Sequence, residues 1–255
     1  MKRLPKRSLL LSLWIALPFV AALPASAAEI SLLSGGAVEP GIVAFAALVK
    51  RELGHELKIQ FNTAPQIAKR LAAGETWDIL VSPPAVIDAA QKDGKVIADG
   101  RTQVGRVGVG IVVREALAAP AIGSAEALKD ALMRADSVVY NSASTGLYLD
   151  RLFAQLGLTD ALRPKTTRYP DGASVMEHVI HGKGQEIGFG AITEIGLYTS
   201  KGLRYVGPLP AETQNYTRYD AAIMTGARQG SAAADVLKLL ATPAARAAFT
   251  AAGID

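Results

Sequence analysis

Three short polar loops are the part of this sequence best suited to chemistry, because each follows a predicted strand and opens a helix. The first reads Ser-Gly-Gly-Ala at 34–37, the second Asn-Thr-Ala-Pro at 62–65, and the third Asn-Ser-Ala-Ser-Thr-Gly at 141–146. Small residues let a ligand approach the backbone, and the first N–H groups of a helix have no partner within it. Loops of this kind can bind an anion.

Helix capping is the alternative explanation for each loop, because Ser, Thr and Asn are the ordinary N-cap residues. The presence of three such loops in one chain favours a shared binding cleft. The candidate ligand contacts are Ser34, Gly35, Gly36, Ala37, Thr63, Ala64, Ser144, Thr145 and Gly146.

Neutral donors would have to hold the anion, because the three loops contain no Lys or Arg. A hydrogen bond to a charged group contributes roughly 1.5 to 3 kcal/mol, so five or six would supply on the order of 10 kcal/mol. Micromolar affinity needs about 8 kcal/mol. Donors alone would favour a fully deprotonated anion, which only accepts hydrogen bonds.

Short apolar segments alternate with helical ones along the chain, which is typical of α/β proteins. Strands that are apolar on both faces suit parallel sheets covered by helices on each side. The predicted strands are 29–33, 57–61, 78–81, 107–113, 137–140, 165–169, 186–189, 203–206 and 219–225.

Two long β segments, 105–114 and 216–225, could cross between two lobes. We expect residues 28–105 plus 225–255 to form lobe 1, and residues 106–224, with the hinge strands, to form lobe 2. The alternative is one continuous sheet with excursions.

The first 27 residues read as a secretory signal peptide. Four basic residues precede an apolar stretch from Leu9 to Leu23, and Ala25-Ser26-Ala27 fits the cleavage rule. Without this segment the chain has 23 basic and 23 acidic residues, since all four of the segment's charges are among the 27 Lys and Arg. The basic pI therefore gives no support for nucleic-acid binding, and a periplasmic location is expected.

The chain has no Cys, which excludes disulfides, thiolate metal sites and a lipid anchor on Cys. His178 and His181 lie three residues apart on a predicted helix, but Glu177 is the one nearby acid and the chain has no Cys, so solvated side chains explain them better than a metal. No cofactor is expected.

Motifs of hydrolytic enzymes are absent from the sequence. It has no G-x-S-x-G, and His55-Glu56 does not continue into H-E-x-x-H because Ile59 takes the last position. The chain is therefore not expected to be an enzyme. A sensor or partner-binding protein that uses the same cleft is a third class.

The order of these motifs resembles the molybdate-binding periplasmic proteins of ABC transporters. The resemblance covers the Ser-Gly-Gly loop, the Asn-Thr loop, Gly-Glu-Thr-Trp-Asp-Ile-Leu-Val at 74–81, the loop at 141–146, and Thr-Pro-Ala-Ala-Arg-Ala-Ala-Phe at 242–249. It implies a two-lobed type II binding-protein fold that closes around an oxyanion. It also implies ligand contacts from the nine candidate residues and delivery to an inner-membrane ABC permease by a monomer.

One departure from that family leaves the ligand open. Family members commonly place a Tyr hydroxyl after the strand that corresponds to 186–189, where this chain has Gly190-Ala191-Ile192. The expected ligand is a molybdate-like or tungstate-like oxyanion, and the alternative is a small carboxylate or other organic anion.

Overall fold

A computed structural model describes residues 27–255 of the protein. The predicted signal peptide lies outside these residues, except for Ala27. Within the described range, no helix combines the length and apolar character needed to span a bilayer.

The described residues form nine strands and ten α-helices, and each predicted strand is present. The strands are β1 (Glu29–Gly35), β2 (Glu56–Asn62), β3 (Ile79–Ser82), β4 (Thr102–Arg114), β5 (Ser137–Asn141), β6 (Thr166–Tyr169), β7 (Glu186–Ala191), β8 (Leu203–Pro208) and β9 (Tyr216–Ile223). The helices are α1 (Glu39–Leu53), α2 (Ala64–Ala72), α3 (Pro84–Lys92), α4 (Ala125–Arg134), α5 (Ser144–Gln155), α6 (Thr159–Leu162), α7 (Gly172–His181), α8 (Ile192–Gly196), α9 (Gly230–Leu240) and α10 (Pro243–Ala251).

The strands follow the order β2-β1-β3-β9-β4-β7-β5-β6, with β8 added to β4. Strands β2, β1 and β3 are parallel, and so are β7, β5 and β6. Strand β4 is antiparallel to β9 through residues 102–108 and to β7 through residues 109–112. Because β4 pairs with β9 before residue 109 and with β7 from residue 109 onward, hydrogen bonding continues from one parallel group to the other.

Helices cover both faces of each parallel group, as the apolar strands predicted. In the first group, α1, α9 and α10 pack on one face, and α2 and α3 pack on the other. In the second group, α4, α5 and α6 pack on one face, with α7 and α8 opposite. The mixed α/β fold with helices on both faces is confirmed.

Tyr219, Ala221 and Ile223 of β9 pack in the first core together with α1, although residues 216–224 were assigned to lobe 2. The lobe boundaries stay a prediction.

Candidate functional site

A small cavity of about 40 Å³ lies where the carboxyl ends of strands from both parallel groups meet. All three predicted loops reach it, together with α8, β9 and the start of α7. The residues around it are Gly35, Gly36, Ala37, Asn62, Thr63, Ala64, Asn141, Ala143, Ser144, Thr145, Gly172, Ala191, Glu194 and Tyr219.

Seven of the nine predicted contacts line this cavity, and Ser34 and Gly146 do not. Ser34 is fully buried and its hydroxyl donates to the Gly35 carbonyl at 3.1 Å. The N–H of Gly146 donates to Asn141 Oδ1 at 3.2 Å, and a β-carbon at this position would overlap the Asn141 carbonyl. Ligand binding by these nine residues stays a prediction.

The second loop begins α2 with Thr63 as the N-cap residue. Gln66 Oε1 accepts from the N–H of Thr63 at 2.8 Å, and the Thr63 side chain faces the N–H of Gln66 in return, which together form a capping box. The Thr63 hydroxyl oxygen is buried without a partner of good hydrogen-bond geometry. The Thr63 hydroxyl can therefore form a hydrogen bond with a ligand in the cavity.

The third loop is organised by Asn141, at the end of β5. Its Oδ1 accepts from the N–H of Ala143 at 3.0 Å as well as from Gly146. Ser144 and Thr145 then open α5 beside the cavity. Their hydroxyls and N–H groups are the donors that this loop can offer.

Glu194 brings a carboxyl group into a cavity whose other side chains are neutral. A β-carbon on Gly172 would overlap this carboxylate, so the absence of a side chain there makes room for it. Burial, followed by the negative charges of Asp171 and Glu39, raises the pKa of Glu194 to about 7. The residue keeps some exposure, but its carboxyl group is enclosed. It therefore exchanges a proton near neutral pH.

Tyr219 reaches the cavity from β9 and is only 6% exposed. Its ring covers Gly35, where a β-carbon would lie 2.7 Å from Tyr219 Cε1. Burial and the charge of Glu194 raise the pKa of Tyr219 well above its ordinary value. The phenol therefore stays protonated and can donate a hydrogen bond.

A hydrogen bond from Thr193 Oγ1 to the Ala37 carbonyl ties α8 to the first loop. It connects the second parallel group to the first beside Glu194. The position of this carboxyl group therefore depends on how the two groups pack.

Sequence reasoning did not select Glu194 or Tyr219. Glu194 comes soon after the carboxyl end of a strand, which is the signal that identified the three loops. Tyr219 has no such signal, because it lies within β9. Its orientation toward the cavity follows from how β9 pairs with its neighbouring strands.

The described residues contain no group of three or more His, Asp or Glu placed to hold a metal ion. His178 pairs with the Tyr169 hydroxyl at 2.9 Å, and His181 Nε2 lies 3.3 Å from Glu177 Oε2.

The sequence profile of a family described as bacterial extracellular solute-binding protein matches residues 30–255. The chain belongs to this family. The match covers both parallel groups and includes every strand that reaches the cavity. The first residue of β1 alone falls outside it.

An aconitate isomerase from Pseudomonas sp. is 29% identical over 258 residues, covering 99% of this chain and 96% of that protein. This relative overturns the expectation that the chain is not an enzyme, because a full-length relative is named for a reaction. Hydrolase motifs do not test for an isomerase, because a reaction that only moves a proton needs neither a nucleophile elbow nor a zinc motif. A single carboxyl group can transfer a proton, and one Glu leaves no sequence pattern.

Solved structures share the fold at low sequence identity. The periplasmic molybdate-binding protein of Azotobacter vinelandii has a TM-score of 0.74 and 15% identity, covering 89% of this chain and 99% of that one. A sulfate-binding protein from Mycobacterium tuberculosis H37Rv has a TM-score of 0.71 and 16% identity, covering 89% and 86%. At these identities the likeness establishes the fold, while the ligand follows from the side chains of the cavity.

Proposed function

We propose that the protein is an isomerase of a small unsaturated polycarboxylate of the aconitate class, with Glu194 as the group that transfers the proton. The observation that carries this proposal is the enclosed Glu194 carboxyl group, with a pKa of about 7, in a cavity otherwise lined by neutral side chains. A general base works best when its pKa lies near the operating pH. The full-length similarity to an aconitate isomerase supports the same conclusion.

The chemistry of aconitate requires no cofactor. Its methylene hydrogens are acidified by an adjacent carboxylate and by the neighbouring double bond. Removal of one of them gives an allylic carbanion, in which the former double bond has partial single-bond character. Rotation followed by return of the proton to the other end of the allyl unit gives the other geometric isomer, with no net change in atoms or electrons.

The neutral donors of the three loops suit the carboxylates of such a substrate. Thr63, Ser144 and Thr145 lie around the cavity together with the first turns of α2 and α5. Neutral donors can bind a substrate carboxylate, and they do not form an ion pair with Glu194 as a Lys or Arg would. The base therefore stays free to take a proton.

A second candidate is capture of a molybdate-like oxyanion for an inner-membrane ABC permease in the periplasm. The small volume of the cavity favours it, because about 40 Å³ suits a tetrahedral oxyanion better than a tricarboxylate. Charge repulsion from an ionised Glu194 does not separate the candidates, since it acts on a dianion and a tricarboxylate alike. The ability of Glu194 to take up a proton near neutral pH is what favours the isomerase. Under the isomerase proposal, the two lobes must open to admit the larger substrate.

Turnover and binding by the purified protein test the two candidates together. The protein is incubated with cis- and trans-aconitate, and the isomers are separated and quantified. Calorimetry then measures binding of both isomers, molybdate, tungstate, sulfate and phosphate. We expect interconversion of the two isomers by the wild type and a 10²- to 10⁴-fold loss of kcat in Glu194→Gln.

Glu177→Gln is the matched control, because this exposed Glu lies on α7 and does not line the cavity. It should keep wild-type turnover. Binding of molybdate without turnover of aconitate would reject the isomerase and support the transport candidate. Turnover that survives in Glu194→Gln would reject the role of Glu194.

A further inference from the structure

We infer that Tyr219 is a second catalytic residue, whose hydroxyl donates a hydrogen bond to the substrate carboxylate on which charge builds during proton removal. The inference rests on the proposed function and adds a residue to the same site. Its basis is the location of the phenol, its missing partner, and its position relative to Glu194.

Two consecutive glycines bring the acid and the phenol together. The Tyr219 ring lies against Gly35, and the nearest atom to a β-carbon on Gly36 would be Glu194 Oε1 at 3.9 Å. Gly35 and Gly36 end β1 and open the first loop. Both functional side chains therefore face the same short stretch of backbone and the same cavity.

Three of the four other partly or fully buried tyrosines of the described chain use their hydroxyls inside the protein, and Tyr198 is the exception. Tyr140 donates to Asp150 Oδ1 at 3.0 Å, Tyr148 donates to the Thr213 carbonyl, and Tyr169 pairs with His178. Tyr219 is among the most buried, yet its hydroxyl makes no hydrogen bond to another described residue and is not sealed from the cavity. A buried phenol normally finds a partner. A substrate oxygen in the cavity would supply it.

The reaction defines what this hydrogen bond does. The Glu194 carboxylate takes a proton from the substrate methylene, and the electron pair of the broken C–H bond enters the allylic system and spreads onto the attached carboxylate. Tyr219 donates a hydrogen bond to an oxygen of that carboxylate and keeps its own proton. Glu194 then returns the proton to the far allylic carbon, where the electron pair forms the new C–H bond and the double bond moves by one position.

Tyr219→Phe tests the inference, because it removes only the hydroxyl. A donor directed at charge that develops in the transition state contributes about 10²- to 10³-fold to kcat. We expect kcat for aconitate to fall by about 10²-fold while KM changes by less than about threefold. The melting temperature should stay close to that of the wild type, since the hydroxyl has no partner in the protein.

Tyr216→Phe is the matched control on the same strand, because this Tyr is exposed and lies outside the cavity. It should keep wild-type kcat and KM. Wild-type kcat in Tyr219→Phe, or a rise in KM alone, would overturn the role of Tyr219 and leave the proposed function in place. Absence of turnover by the wild type would overturn the proposed function and the inference with it.

Gly35→Ala provides a second measurement that keeps the phenol but displaces it. Gly35 has an extended backbone with φ of −61°, which Ala adopts, whereas the added β-carbon would press on the Tyr219 ring. We expect kcat to fall in this variant as well. If Tyr219→Phe does not fold, wild-type kcat in Gly35→Ala overturns the inference.

Discussion

Two enclosed carboxyl groups, Asp78 and Glu194, behave in opposite ways. Asp78 is 3% exposed and accepts hydrogen bonds from Ser31 N at 2.8 Å, Ser31 Oγ at 2.7 Å and Gln229 N at 2.8 Å. Burial would raise its pKa, but these donors outweigh that effect and the pKa is lowered. Glu194 has no such donors in the described structure, and its pKa is raised to about 7.

The difference lies in what each environment offers the ionised form. The donors around Asp78 stabilise its charge and join the starts of β1, β3 and α9. Around Glu194 there are the charges of Asp171 and Glu39 and the enclosed cavity. A satisfied carboxylate maintains structure, whereas an unsatisfied one in a cleft remains available to a substrate.

The largest effect on stability is expected from Asp78→Asn. The Asn side chain has no negative charge to accept the three hydrogen bonds that Asp78 receives. Its NH₂ group, which is a donor, would also face other donors. We expect the free energy of unfolding at pH 7 to fall by about 4 kcal/mol, since hydrogen bonds to charged groups contribute roughly 1.5 to 3 kcal/mol each. Urea unfolding measures this change.

Asp235→Asn is the control, because its ion pair with Lys238 is exposed and should change stability by less than about 0.5 kcal/mol. Equal stability of Asp78→Asn and wild type would show that the Asp78 network does not maintain the fold.

The same change from carboxyl to amide should have the opposite sign at Glu194. The folded protein binds the Glu194 proton more tightly than the unfolded chain, whose Glu titrates near 4.5. Stability from this group is therefore present below about pH 4.5 and is lost as pH rises through about 7. We expect Glu194→Gln to be more stable than wild type by on the order of 3 kcal/mol at pH 8, and equally stable at pH 4.

Thermal and urea unfolding of both proteins between pH 4 and pH 8 measure this difference. A constant difference across the range would mean that Glu194 ionises as freely in the folded protein as in the unfolded chain, and the contrast with Asp78 would be lost.

The smallest effect is expected from a neutral donor of the cavity. Thr145→Val replaces a hydroxyl by a methyl group of similar size, and the Thr145 side chain has no hydrogen bond to another described residue that would be lost. The affinity for aconitate, measured by calorimetry, should fall by about tenfold, or about 1.4 kcal/mol.

Thr250→Val, on an exposed face of α10, should leave affinity unchanged. Unchanged affinity in Thr145→Val would remove this hydroxyl from the site and leave the backbone N–H groups as the donors of the third loop.

Local patterns were sufficient for much of the fold. Runs such as Ile79-Leu80-Val81 predicted buried strands, because Leu80 and its neighbours fill cores on opposite faces of the sheet. The extent of β4 was underestimated, since Thr102 and Gln103 lie before the predicted β segment and pair with β9, which is more than a hundred positions away. Long-range pairing of this kind leaves little trace in a short window of sequence.

By itself, the sequence determined the α/β class, the nine strands and the three polar loops that open helices, because apolar periodicity and helix-start residues act over a few positions. Only the tertiary structure decided that the loops share a cavity with Glu194 and Tyr219. The pKa of Glu194 depends on burial and on Asp171 and Glu39, and the position of Tyr219 at the cavity depends on which strands lie beside β9. Both are properties of residues far apart in the chain, which meet only when the two parallel groups pack around β4.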